Sequence, residues 1–222
     1  MRIAITGASG NAGTALLHRL RREPDVQVRG FARRPPLPGA GDPYDGVDWH
    51  ALDLGDDATP ERLGTWLRGV DVVVHLAWQI QPSHHRDRLR RTNVTGTRHL
   101  LAGMRSAGVT KLVYASSVGA YAPGPKDRLV DESWPTTGVE RCGYSVDKAA
   151  VEALLDEAER ADTGLRITRL RKALVFQHDA GAEITRYFLG PLVPVSLLRA
   201  GRLPLVPANR RLRAQVVHAD DV

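Results

Sequence analysis

Tyr144 and Lys148 stand four residues apart in YSVDK, inside the run RCGYSVDKAAVEALLDEAER. On a helix, residues i and i+4 share a face at about 5–6 Å, so the lysine can approach the phenol from behind. A phenol of pKa about 10 is a poor base at neutral pH. A nearby ammonium favours the phenolate and is expected to lower that value. The pair is a candidate proton-transfer device. Ser117, in YASSVGAY, is a candidate to hydrogen-bond the carbonyl or hydroxyl being transformed. In a chain of five tyrosines and four lysines the spacing alone is weakly specific, so the elements around it must decide.

Thr6 to Gly13 reads TGASGNAG. Gly7 would permit a tight turn off a strand, Gly10 a close approach of backbone to a pyrophosphate, and Gly13 close packing of the next helix. Ser9, Asn11 and Ala12 complete the loop, and the helix N-terminus supplies oriented N–H groups. The loop follows an apolar strand at Arg2–Thr6 and opens a helix from about Ala12 to Arg22, which is the context a dinucleotide site requires. A second strand, Val26–Phe31, runs into GFARRPP. An acid here would hold the ribose of NAD, whereas arginine accommodates the 2′-phosphate of NADP. No acid lies between Val26 and Ala40, and Arg33 and Arg34 do. NADP(H) is favoured, with NAD(H) as the alternative.

Beyond these, Asp48–Leu52 reads as a third strand and Thr59–Leu67 as a helix with Thr59 at the N-cap and Pro60 first inside. Asp71–Leu76 is a buried fourth strand, and Pro82–Ala107 a long helix stopped by Gly108. Lys111–Ala115 is a fifth strand, Tyr144–Ala161 the helix of the Tyr/Lys pair, and Arg166–Phe176 a sixth strand. Such alternation predicts an α/β fold with a doubly wound parallel sheet, a Rossmann fold, with ligands beyond the C-terminal strand ends.

Composition bounds the function. The 222 residues suffice for one domain with a sizeable core, and 42% hydrophobic with 25% charged residues excludes disordered and collagen-like classes. The single cysteine, Cys142, excludes an intramolecular disulfide and suits a reducing cytoplasm. No apolar run approaches the ~18 residues of a membrane span. MRIAITGASG reaches its glycines too early for a signal peptide, so a cytoplasmic protein is expected. The net charge of +6 comes from arginines scattered over helix faces, such as Arg86, Arg88, Arg90 and Arg91. They read as solvated faces rather than a nucleic-acid site. His75, His84 and His85 match no ligand spacing, so no metal is expected.

Four further stretches fall in order with the loop and the Tyr/Lys pair: ALDLGD with Asp53 and Leu54, HLAW at His75–Trp78, NVTGT at Asn93–Thr97, and YASS at Tyr114–Ser117. Together they resemble the short-chain dehydrogenase/reductase superfamily, in its extended epimerase/dehydratase-like branch, over essentially the whole chain. The resemblance implies that Asp53 and Leu54 contact adenine, that Leu76, Ala77 and Trp78 back the cofactor, and that Asn93 braces strand and helix. It implies Ser117 as the substrate-binding serine, with Ala115 and Ser116 beside it, Tyr144 as acid/base and Lys148 as its partner. RLRKALVF lies where the family usually reads R-P-G-x-V-Y-G. Lys172 and Ala173 replace Pro-Gly, and Gln177 the last glycine, so Lys172 and Leu174 would meet the nicotinamide end. The implied activity is NAD(P)-dependent oxidoreduction or epimerase/dehydratase chemistry on a hydroxyl or keto group of a sugar nucleotide or related metabolite. The other class of reading is a non-catalytic NADP(H)-binding sensor or interaction protein of the same fold. Such proteins often lack the tyrosine or the lysine, and this chain has both.

The domain reading is a dinucleotide-binding domain over 1–176, with 215–222 returning to it, and a small, partial C-terminal substrate lobe over 177–214. QVVHADDV resembles a family stretch that leads into more of that lobe, so the ending at Val222 is expected to mark a truncation or a lost lobe. Arg202, Arg210, Arg211 and Arg213 are candidates for an anionic small-molecule substrate. The resemblance implies a homodimer of the kind many members of the superfamily form, through a four-helix contact of the long helix and the Tyr-Lys helix. Leu100, Leu101, Met104, Leu154, Leu155 and Ala158 are therefore candidates for a homodimer contact or for packing on the sheet.

Overall fold

Alternate residues of a strand face opposite ways, and RIAIT divides its apolar side chains accordingly. The computed structural model describes residues 1–80, 85–125, 127–176 and 215–221. In it β1 (Arg2–Thr6) sends Ile3 and Ile5 into a cluster with Leu17 of α1 (Asn11–Leu20), and Ala4 into a second cluster on the other face. β2 (Gln27–Ala32), β3 (Asp48–Ala51), β4 (Val72–His75), β5 (Lys111–Tyr114) and β6 (Arg166–Arg169) complete the sheet. All pairings are parallel, in the order β3-β2-β1-β4-β5-β6.

The second cluster gathers Phe31, Val73 and Leu112 from the strands. Over them lie Leu63 of α2 (Thr59–Trp66), Leu100 and Met104 of α4 (Gly96–Ala107), and Val151 and Leu155 of α5 (Gly143–Ala161). With helices on both faces this is the expected doubly wound Rossmann fold. Its strand order reverses between β1 and β4, which puts the ligand crevice at the C-terminal ends of those two strands. Leu100, Met104 and Leu155 are thus buried in the chain's own core, Leu101 and Ala158 pack partly buried against it, and Leu154 is half-buried. Among the described residues no helix is long and apolar enough to cross a membrane.

Three elements depart from expectation. The long helix begins, within the described residues, with α3 (Arg86–Arg90), passes through a π turn at Arg91–Thr95 and continues as α4. There the Thr97 hydroxyl donates to the Asn93 carbonyl at 2.6 Å, a bond that competes with the regular helical ladder. The sixth strand is two strands: β6 stops at Arg169, and β7 (Leu174–Phe176) leaves the sheet to pair in parallel with β8 (Val216–His218). Between them the Arg171 guanidinium turns to a buried carboxylate and the Lys172 carbonyl accepts the Val118 N–H, so the ladder is abandoned for the site loop. α2 has Ala58 rather than Thr59 as its N-cap, because the Thr59 hydroxyl donates instead to the Asp53 carbonyl at 2.7 Å. After β8, Ala219–Asp221 packs on α1. The stretch 177–214, with Gln177 and the four arginines from Arg202 to Arg213, lies outside the described residues, as does 81–84.

Candidate active site

β1 hands the chain to Gly7 at φ +72°, a left-handed conformation that side chains disfavour. A Cβ at Gly7 would also lie 2.7 Å from the Ala77 backbone nitrogen. Gly13 has the Gly7 and Ala8 backbone against it, so α1 seats directly on the loop. Gly10 is the N-cap, its N–H bonded to the Gly7 carbonyl at 3.0 Å, and the first turn of α1 carries no acid. The N–H groups of Asn11, Ala12 and Gly13 head the helix without intrahelical acceptors, beside a half-buried Ser9. Such a cradle, with donors facing outward, fits a pyrophosphate. Gly7→Ala is expected to cost about 1–3 kcal/mol of stability from the forced backbone and to abolish dinucleotide binding. A thermal melt and an NADPH titration check both, and wild-type behaviour in the two would refute the cradle.

Arg33 and Arg34 follow β2 directly and are exposed, next to the end of β1, where the Gly7 N–H bonds to the Phe31 carbonyl at 2.8 Å. The Asp53 carboxylate accepts the Gly55 N–H at 2.9 Å, which closes the turn after β3. Leu54 turns inward and is 4% exposed. Leu76, Ala77 and Trp78 lead off β4, and Asn93 clamps the residue after them. Its Oδ1 accepts the Gln79 N–H at 2.8 Å, and its Nδ2 donates to the Gln79 carbonyl at 3.1 Å.

Beyond β5, Ser117 is buried, its Oγ accepting the Gly119 N–H at 3.0 Å and hydrogen-bonded to the Tyr144 phenol. The Trp78 ring stands edge-on to Tyr144, 6.0 Å between centroids. Lys148 Nζ lies 3.5 Å from the Trp78 ring centroid and 5.9 Å from that of Tyr144. It donates to the Ala115 carbonyl at 2.7 Å and to the Tyr114 hydroxyl at 3.1 Å. Ser117, Tyr144 and Lys148 therefore converge at the C-terminal end of β5.

The electrostatics correct one expectation. Burial raises the Tyr144 phenol above its ordinary value, and the hydrogen bond from Ser117 opposes this without overcoming it. The lowering expected from Lys148 is absent because Lys148 is itself buried. That burial, with the charge of Lys172 added, drives its ammonium well below the ordinary lysine value. Lys172 is pushed down to about 8 by burial. Burial, helped by Lys148, also pushes His75 down to about 3, so the ring is neutral. Its Nε2 is 3.0 Å from the Thr97 hydroxyl, whose proton goes to Asn93, so Nε2 carries the ring hydrogen. Nδ1 then accepts from Thr6 at 2.6 Å.

Sequence reasoning missed the acid behind this site. Glu152 is fully buried on α5, four residues after Lys148, and the periodic run Tyr144, Lys148, Glu152 was its signal. It accepts from Ser116 Oγ and from two nitrogens of Arg171, at 3.1 and 3.0 Å, with Arg169 at 3.3 Å. Arg171 reaches on to the Tyr121 hydroxyl and the Glu132 carbonyl, both at 3.2 Å. Ser116, beside Ser117, is thereby fixed to the same helix as Tyr144. Among the described residues no cluster of His, Cys, Asp and Glu could hold a metal ion.

A glycine-rich loop at the reversal of strand order, with Ser117, Tyr144 and Lys148 gathered at the end of the strand beyond it, is the arrangement of a doubly wound, dinucleotide-binding Rossmann fold. The chain belongs to the NAD dependent epimerase/dehydratase family, whose model matches residues 3–187. It is 31% identical over 222 residues to an uncharacterized protein of Mycobacterium tuberculosis, covering 100% of this chain and 19% of that one. A 2-alkyl-3-oxoalkanoate reductase of Shewanella oneidensis is 28% identical over 163 residues, 72% of this chain and 39% of that protein. A short-chain dehydrogenase/reductase superfamily protein of Agrobacterium tumefaciens, crystallised with bound NAD, superposes with a TM-score of 0.69 at 29% identity. That match covers 86% of this chain and 55% of the other. The chain thus spans well under two thirds of each of these relatives.

Proposed function

We propose that the chain carries the cofactor-binding and catalytic centre of an NADP(H)-dependent oxidoreductase, which exchanges hydride with a hydroxyl or carbonyl carbon of a small metabolite. The convergence of Ser117, Tyr144 and Lys148 beside the phosphate cradle carries this reading. A bound nicotinamide supplies or accepts the hydride. Ser117 donates a hydrogen bond to the substrate oxygen and fixes it. Tyr144, held protonated by burial, gives its proton to that oxygen as hydride reaches the carbon, which favours carbonyl reduction. The phenolate left behind lies on the Lys148 face of α5, where the Lys148 amine would stabilise it once protonated. The named reductase among the relatives supports this direction. Epimerase and dehydratase reactions of sugar nucleotides would use the same first transfer. A panel of ketones, 3-oxo acids and nucleotide sugars, followed by loss of dihydronicotinamide absorbance, tests the proposal. Turnover of none of them would count against it.

Arg33 and Arg34 support the choice of NADP(H): among the described residues neither has an ion-pair partner, and both follow β2 directly, the strand end after which an arginine accommodates a 2′-phosphate in folds of this kind. Replacing both by Ala is expected to weaken NADPH binding by about tenfold or more, as loss of charge-assisted bonds would, and to leave NADH binding nearly unchanged. Parallel titrations check this, and equal weakening of both cofactors would refute it.

A further inference from the structure

Two lysines lie at the candidate site, and Glu152 acts on the charge of Lys148 without pairing to it directly. Lys148 is held by a carbonyl and a phenol. The Lys172 carbonyl accepts the Val118 N–H at 3.0 Å, which sets this residue beside Ser117, and its side chain is half-buried. The charge of Lys172 opposes that of Lys148. Among the described residues no carboxylate comes within ion-pair distance of either lysine. Glu152, the acid on the same helix face, is already occupied by Ser116, Arg171 and Arg169. A half-buried cation in such a place lowers its free energy by meeting an anion.

We propose that Lys172 is the anion-recognising residue of the substrate cleft, receiving a carboxylate that the substrate carries close to the carbonyl held by Ser117 and Tyr144. The substrates are then oxo or hydroxy acids. This rests on the oxidoreductase reading above and narrows its substrate class. A long stem with three donors at its tip, rooted beside Ser117, suits a carboxylate one or two bonds from the reacting carbon. The incoming anion would also offset the repulsion between the two amines, so that Lys148 keeps its proton behind Tyr144 when substrate is present.

Calorimetric titration of the protein with 3-hydroxybutyrate and with its methyl ester, at saturating NADP⁺ and without it, tests the proposal. The acid is expected to bind about tenfold or more tightly than the ester, as a charge-assisted hydrogen bond implies. Lys172→Gln should bring that ratio to about one, and Lys172→Arg should preserve a preference for the acid. Equal binding of acid and ester by the wild type would overturn the proposal, as would Lys172→Gln weakening both alike. Nicotinamide fluorescence separates this from the parent reading. NADPH binding without acid preference sinks the carboxylate seat alone, whereas acid preference without NADPH binding sinks the redox reading alone.

Discussion

Tyr144→Phe is expected to lower turnover by about 10²–10⁴-fold, the usual contribution of a positioned acid or base, while leaving NADPH affinity essentially unchanged. The substitution removes one oxygen and keeps the ring that packs edge-on to Trp78, so α5 and the cleft retain their shape. Ser117 loses its hydrogen-bond partner but not its bond from the Gly119 N–H, and it can still hold a substrate oxygen. What disappears is the proton. Steady-state rates beside a cofactor titration make the measurement, and turnover within a few-fold of wild type would remove Tyr144 from the mechanism.

The largest effect on stability is expected at Glu152. Glu152→Ala takes from Arg171 its carboxylate partner and from Arg169 one of three, Asp156 and Glu159 remaining, and breaking a buried pair in this way costs about 3–5 kcal/mol. Glu152→Gln should cost less, since an amide still bonds to Ser116 and Arg171. The pH dependence arises from the same contacts. Burial alone would raise this carboxyl, but the hydrogen bonds from Arg171 and Ser116 and the charges of both arginines outweigh it and hold the pKa below the ordinary value. A folded pKa below the unfolded one gives stability that is present above the unfolded value, about 4.3, and is lost as pH falls through the folded value. Urea unfolding of wild type and Glu152→Gln should therefore differ clearly at neutral pH and converge in acid. A constant difference across that range would contradict the assignment, as would a Glu152→Ala variant within about 1 kcal/mol of wild type, the scale of an exposed pair.

Much of this was legible in the sequence, for identifiable reasons. The tight glycine loop after β1 was readable because Gly7 and Gly13 have no room for a side chain, so the residue type itself reports the geometry. The strands were readable because β1 and β4 are short apolar runs serving both faces of the sheet. Tyr144 and Lys148 were picked out by their spacing only together with the glycine loop and Ser117 around them. The direction of the Lys148 ammonium was not legible, because it depends on Ala115, Tyr114 and Trp78, which reach it from other elements. Nor was the state of the Tyr144 proton, since burial is a property of the packed cleft. The break between β6 and β7 escaped notice because RLRKALVF keeps strand-like apolar content while Arg171 and Lys172 are drawn off to Glu152 and Val118. Partners of a buried arginine are long-range facts, and no local pattern encodes them.

The most direct test is a titration of the wild-type chain with NADPH and with NADH, followed by nicotinamide fluorescence. Saturable binding of NADPH, tighter than that of NADH and lost in Gly7→Ala, is the result expected of a phosphate cradle at the β1/β4 crevice with Arg33 and Arg34 at its edge. Failure of both cofactors to bind would contradict the central claim that this site works on a bound dinucleotide.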